Sequence, residues 1–208
     1  MSDEEMDIMR LWVNSILTTE KSQQSMTAKD MLGRIRMLHK GGSTAHKPSD
    51  WRPVVLLNTV NQLVMHILNQ RLKGIVEKEG WLEAGQAGSR TMKGTDVNWN
   101  KLEHVIREAK KQGKMVLRAD VDFKNAYNAM SQAALWHIMK EAGIPDVDLL
   151  ENLYANSTVQ LHEVGGTGAT VTFDTGVAQG SALSPLLFII FMNILLRLLT
   201  NTGLAENI

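Results

Sequence analysis

GVAQGSALSPLLF, residues 176–188, is the stretch on which the fold of this chain turns. Gly176 and Gly180 flank Gln179, and glycine lets a backbone bend tightly or lets a ligand come close. Ser184-Pro185 then opens a helix, with proline in its first turn where no amide is needed. Alone, this is either a ligand-approach loop or a plain turn from strand to helix. The helix after it carries Leu186, Leu187, Ile189, Ile190, Phe191, Ile194, Leu195, Leu196, Leu198 and Leu199. A helix apolar nearly all round needs cover on several sides. Because residues 183–199 also include Ser184, Pro185, Asn193 and Arg197, and are short for a span, we read them as buried in protein, with no membrane partner.

Working outward, TVQLHEV and ATVTFDTGV are β-type runs joined by GGTG, which predicts a hairpin. Asp146–Asn156 and Ser131–Ala142 have helical character, Ser131 serving as a cap and Gly143-Ile144-Pro145 as a stop. Before them stands VLRADVDFKNAYN, residues 116–128. Its apolar entry, Met115-Val116-Leu117, predicts a buried strand. Strand side chains alternate, so Asp120 and Asp122 share a face. Two carboxylates on one face repel unless a cation sits near them, and magnesium is the hard cation suited to carboxylate oxygens. The alternative is a strand end whose acids stand in solvent.

A third stretch, DWRPVVLLN at residues 50–58, places Arg52 before a short apolar strand, with Lys40 behind it across the polar loop KGGSTAHKPSD. Such a pair clamps phosphates or forms a solvated basic loop. MLGRIRMLHK alternates as a strand, Thr59–Glu77 and Trp99–Lys111 as helices, and Ser2-Asp3-Glu4-Glu5 has the spacing of a capping box. Helices among short strands give an α+β chain. With 44% hydrophobic residues among 208, it can bury a sizeable core. Twenty-two Lys+Arg balance 22 Asp+Glu, so net charge names no partner, but Arg34, Arg36, Lys40, Lys47 and Arg52 face only Asp50 in their segment. There is no cysteine, which excludes disulfide frameworks and thiolate zinc sites. The acidic N-terminus lacks a signal-peptide pattern, and an intracellular location, nuclear or cytoplasmic, is expected.

Taken together, in order and wording, these stretches resemble the reverse transcriptase domain of non-LTR, LINE-type retrotransposons, the RNA-directed DNA polymerases. The resemblance runs from about Leu32 to Leu199. The family has a lysine, a polar loop and a pattern like "yRPIsLl", here Lys40 and WRPVVLL. Its "RL" helix and "QxGFR" are met by Gln70-Arg71-Leu72 and Gln86-Ala87-Gly88-Ser89-Arg90. Its motif A, an aspartate with an aromatic five residues on, is met by Asp122 and Tyr127 and not by Asp120. Its motif B, "GVxQGxxLSPxLF", is met at every fixed position by residues 176–188.

The resemblance implies a right-hand polymerase fold, with an N-terminal extension and fingers over 1–115 and a partial palm over 116–208, built as an antiparallel sheet with packed helices. It implies two-metal nucleotidyl transfer with magnesium, or manganese, at Asp122 as catalytic and metal-binding residue. Lys40, Arg52, Tyr127, Gln179 and Gly180 would bind the nucleotide, and Arg71, Arg90, Ser184 and Pro185 the template. The implied partners are an RNA template, a DNA primer and deoxynucleoside triphosphates. The family also has an aromatic-x-Asp-Asp turn after motif B, and no Asp-Asp pair follows residue 128 here. The expectation is a fragment inactive by itself, its remaining segments supplied by a parent polyprotein. The alternative is a non-enzymatic, polymerase-like module that binds RNA or a protein partner.

Overall fold

A computed structural model of the chain describes residues 2–18, 26–41, 47–163, 166–172 and 174–202. Residues 42–46, within the loop expected from the sequence, 164–165, at the start of the GGTG connection expected to turn the hairpin, and 203–208 lie outside the described residues. Helix α1 (Asp3–Ile16) opens with the expected capping box, Ser2 and Glu5 each satisfying the other's backbone amide. A short α2 (Ala28–Met31) leads into β1 (Leu32–His39). A 3-10 turn at Pro48–Asp50 returns the chain into β2 (Trp51–Leu56). Helices α3 (Thr59–Lys78), α4 (Thr95–Lys111), α5 (Ala126–Ala129), α6 (Gln132–Glu141) and α7 (Val147–Ala155) follow. The hairpin β3 (Thr158–Glu163) and β4 (Gly166–Thr172) precedes α8 (Ser184–Asn201). Ser131 caps α6 through its side chain, as its position predicts.

The four strands form one sheet in the order β2-β1-β3-β4. β1 pairs antiparallel with β2 but parallel with β3, so the antiparallel sheet expected after residue 116 is instead a mixed sheet, joining strands 32–56 to the hairpin at 158–172. Parallel pairing needs a long crossover, and helices α3 to α7 supply it. Residues paired across neighbouring strands share a face. Val55 and Val159 are buried on one face with Ala178, and Ile35 packs on them. The opposite face carries Arg34, Arg36 and Arg52 with Thr158 and Gln160. The main core lies beside the sheet, where Leu68 and Leu72 of α3, Leu135 and Met139 of α6, Leu149 and Leu150 of α7, and Leu187 and Ile190 of α8 are fully buried.

The strand expected at 115–122 does not form. Residues 114–123 run without regular structure and are exposed, Met115 at 86% and Leu117 at 90%. A strand exists only through a neighbour's ladder, and no described strand pairs with this segment. The two aspartates therefore stay in solvent, where Asp120 pairs with Arg118 at 2.7 Å. Helix α8 is divided along its length: Leu186, Leu187, Ile189 and Ile190 are buried, while Ile194, Leu195 and Leu198 are exposed.

Candidate active site

Three segments far apart in sequence line one cleft of about 740 Å3. Lys40, Ser49, Trp51, Arg52 and Pro53 come from the β1–β2 end, residues 122–128 from the stretch that leads into and forms most of α5, and Gln179, Gly180, Ser181, Ser184 and Pro185 from the loop before α8 and its first turn. The β1–β2 end is closed by the Lys40 amide, which donates to the Asp50 carbonyl at 2.8 Å, and by Lys40 Nζ, which donates to the Ser49 carbonyl at 2.9 Å.

The loop 176–181 is fixed at both ends by glycines. Gly176 adopts φ +75°, its N–H donates to the Met130 carbonyl at 2.8 Å, and a Cβ there would run into the Tyr127 carbonyl. Gly180 adopts φ +122°, and a Cβ there would strike the Val55 carbonyl. Both positions combine a left-handed backbone with close approach of another chain segment, which only glycine tolerates. Between them the Val55 N–H donates to the Gln179 carbonyl at 2.6 Å, and Val177 N–H donates to the Tyr127 carbonyl at 2.9 Å. One loop thus joins β2 to the turn that carries Tyr127.

Tyr127 stacks on Phe188 of α8, ring centroids 4.9 Å apart and planes 20° apart. Its partial burial raises the hydroxyl pKa, so it stays protonated. Behind the loop, burial pushes the Tyr154 hydroxyl up to about 12, beside Ser184 and the Ala178 carbonyl. Ser184, though it borders the cleft, is buried and donates to that carbonyl at 2.8 Å, so its hydroxyl serves the loop.

Of the remaining residues singled out in the sequence, Arg71 is exposed on α3 away from the cleft. Arg90 corrects the expectation most clearly. Its side chain is only 9% exposed and pairs with Glu77 at 2.6 Å, while Nη1 donates to the carbonyls of Glu83 and Gln86. Hydrogen bonding from Arg90 holds the Glu77 carboxyl below its usual range. Arg90 therefore ties the glycine-rich connection to α3, because its guanidinium is turned inward. Residues that the sequence did not single out also serve the site. Gln62 Nε2 donates to the Gly180 carbonyl at 2.8 Å, and Lys124 lines the cleft beside Asp122. Lys124 could have been found by adjacency. Gln62 could not, because its reach depends on how α3 docks against a loop 118 positions away.

Among the described residues, Asp122 is the one carboxylate lining the cleft, set against Lys40, Arg52 and Lys124. That balance favours an anionic ligand. No cluster of three or more metal-ligating side chains occurs among them either. One carboxylate is not by itself a magnesium site.

Residues 38–205 match the family model for reverse transcriptase (RNA-dependent DNA polymerase). The chain belongs to the reverse transcriptase family. It is similar to the retrovirus-related Pol polyprotein of the type-2 retrotransposable element R2DM of Drosophila melanogaster, 28% identical over 75% of this chain and 15% of that protein. It is likewise similar to the Pol polyprotein of the type-1 element R2 of Popillia japonica, 27% identical over 81% of this chain and 24% of that protein. The RNA-directed DNA polymerase of the mobile element jockey of Drosophila melanogaster is 21% identical over 92% of this chain. The matched span is therefore a reverse transcriptase domain, and the chain spans less than a quarter of the length of the first two relatives.

Proposed function

We propose that the cleft is the nucleotide- and template-binding face of an RNA-directed DNA polymerase of right-hand fold, with fingers over 1–115 and part of the palm over 116–208. The observation that carries this is the convergence of Lys40, Arg52, Asp122, Tyr127, Gln179 and Gly180 on one cleft from three distant segments. Lys40 and Arg52 would hold the triphosphate, since a guanidinium and an ammonium match phosphate oxygens. Tyr127, held flat by Phe188, would lie under the sugar. Gln179 would touch the nucleotide, and Pro185 would face the template strand. Arg34 and Arg36, on the exposed sheet face with Arg52, would extend the backbone-binding surface. Asp122 would supply one carboxylate to a divalent ion, magnesium or manganese, which in such polymerases activates the primer hydroxyl. The remaining ligands would come from phosphates, water and carboxylates other than those lining the cleft.

That single carboxylate favours a second reading for the chain on its own, as a module that binds nucleic acid and nucleotide without turnover. Primed RNA and deoxynucleotides with magnesium or manganese separate the two. We expect no extension by residues 1–208 alone. Robust extension abolished by Asp122→Asn would refute the binding-only reading. Nucleotide affinity, measured by calorimetry, is expected to fall about tenfold or more in Lys40→Ala/Arg52→Ala, from two lost charge-assisted contacts. An unchanged affinity would overturn the assignment of the cleft.

A further inference from the structure

Behind the loop that carries Gln179 lies a second, smaller cavity of about 20 Å3, whose polar lining is Asn61, Tyr154, Ser157, Thr158 and Ser181. Asn61, on α3, is 1% exposed. Its backbone N–H donates to Asn58 Oδ1 at 2.8 Å and its Nδ2 to the Asp30 carbonyl at 3.4 Å. Its Oδ1 is buried, and no described group donates to it. Buried amide oxygens are almost always satisfied, by protein or by ordered water. A site of about 10–15 Å3 with two or more polar partners is enough to hold one water. Ser181 offers such a partner: its Oγ accepts from the Leu183 N–H at 3.3 Å, which leaves the hydroxyl proton to donate elsewhere.

We propose that one ordered water occupies this cavity, donating to Asn61 Oδ1 and accepting from the Ser181 hydroxyl, and that Asn61 is thereby a positioning residue for the Gln179–Gly180 loop. Its neighbour supports this, since Gln62 reaches the Gly180 carbonyl directly. Two consecutive residues of α3 thus grip the same loop, one directly and one through water. The water is independent of what the cleft binds. Its consequence for nucleotide affinity rests on the reading of the cleft given above.

The wild-type chain tests the site itself. A high-resolution crystal structure is expected to show a water within hydrogen-bonding distance of both Asn61 Oδ1 and Ser181 Oγ, and a dry cavity overturns the proposal. Asn61→Leu, which fills the cavity, tests the positioning role. The Val55 amide, which donates to the Gln179 carbonyl, is expected to exchange about tenfold faster, with the Leu72 and Leu187 amides unmoved. Asn61→Ser, which leaves room for water and keeps a hydroxyl, is expected to restore most of the protection. Uniform acceleration at all three amides would mean plain destabilisation and would overturn the role. Should Asn61→Leu fail to fold, Ser181→Ala removes the water's other partner and is expected to give the same local signature at Val55. Nucleotide affinity is expected to fall severalfold in the same variants. Local acceleration with unchanged affinity would leave the water in place and count against the nucleotide reading alone.

Discussion

Two of the three walls of the cleft are built differently. One wall, the loop 176–181 with the start of α8, is held by backbone hydrogen bonds to β2 and to the Tyr127 turn, by two glycines pressed on foreign carbonyls, and by the buried side of α8. The other begins at Asp122 and is entered through residues 114–123, a segment that has no ladder partner and leaves Met115, Leu117 and Val121 in solvent. Both come from stretches with specific patterns. The first wall closes through contacts with elements already present, β2, α3 and α5. The second depends on hydrogen bonds from a neighbouring strand, which no described element provides. Chemistry placed on a loop can be set by its glycines, whereas chemistry placed on a strand waits for the sheet.

The largest effects are therefore expected on the first wall. Leu187→Ala removes a fully buried side chain of α8 and is expected to cost about 2–5 kcal/mol in a urea melt. Gly180→Ala must relieve both a left-handed φ and a collision with the Val55 carbonyl, and is expected to cost at least ~2 kcal/mol and to weaken nucleotide binding. Gly113→Ala sharpens the contrast. It shares a left-handed φ of +65° but meets nothing within 4 Å, so it is expected to cost only about 1 kcal/mol. Equal losses at the two glycines would show that the loop is not pinned by β2.

A pH series probes the same wall from behind. Burial raises Tyr154 to about 12 from an ordinary 10, so the folded state holds its proton where the unfolded state releases it. The stabilisation is complete below about pH 10 and is lost as pH rises toward 12, with a span of about 2–3 kcal/mol at ~1.4 kcal/mol per unit. Tyr154→Phe is expected to flatten that alkaline fall, in melts taken between pH 9 and 12. On the acid side, Glu77 is lowered by its bond from Arg90, so its contribution is present above the ordinary carboxylate range and is lost as pH falls through it. Glu77→Gln is expected to remove that acid dependence.

These contrasts also mark what the sequence made legible. Both capping residues, the strands at Leu32–His39 and Trp51–Leu56, the long helix α3 and the proline-led α8 were readable, because local periodicity and caps specify them. The cleft's membership was readable only through the family resemblance, since nothing local in Lys40, Asp122 or Gln179 says that they meet. The parallel pairing of β1 with β3 was not readable, because it joins residues more than 120 apart and leaves no mark in either strand. Arg90 shows the same limit. The family resemblance implied a template contact, and only the packing of the 83–90 turn on α3 reveals that Glu77 holds it. The strand at 116 was over-read for the converse reason. Alternation shows what a segment is suited to, and pairing decides what it becomes.

The smallest stability effect is expected on the second wall, where it separates solubility from folding. Met115, Leu117, Val121 and Phe123 are all exposed on this irregular segment. Substitution at an exposed position without partners changes stability by no more than about 0.5 kcal/mol. Leu117→Lys/Val121→Lys is therefore expected to leave the urea midpoint unchanged. Yet an unpaired apolar segment with strand-forming residues is open to association with another chain, and lysine on it opposes that pairing. The exposed end of α8, with Ile194, Leu195 and Leu198, adds a second adhesive patch. The double lysine variant is thus expected to run closer to monomer in light scattering across a concentration series than the unmodified chain. Combining it with Leu198→Lys is expected to lower association further, the two patches acting separately. A loss of several kcal/mol from Leu117→Lys/Val121→Lys would show that residues 114–123 are packed in solution, and the contrast between the two walls would fall.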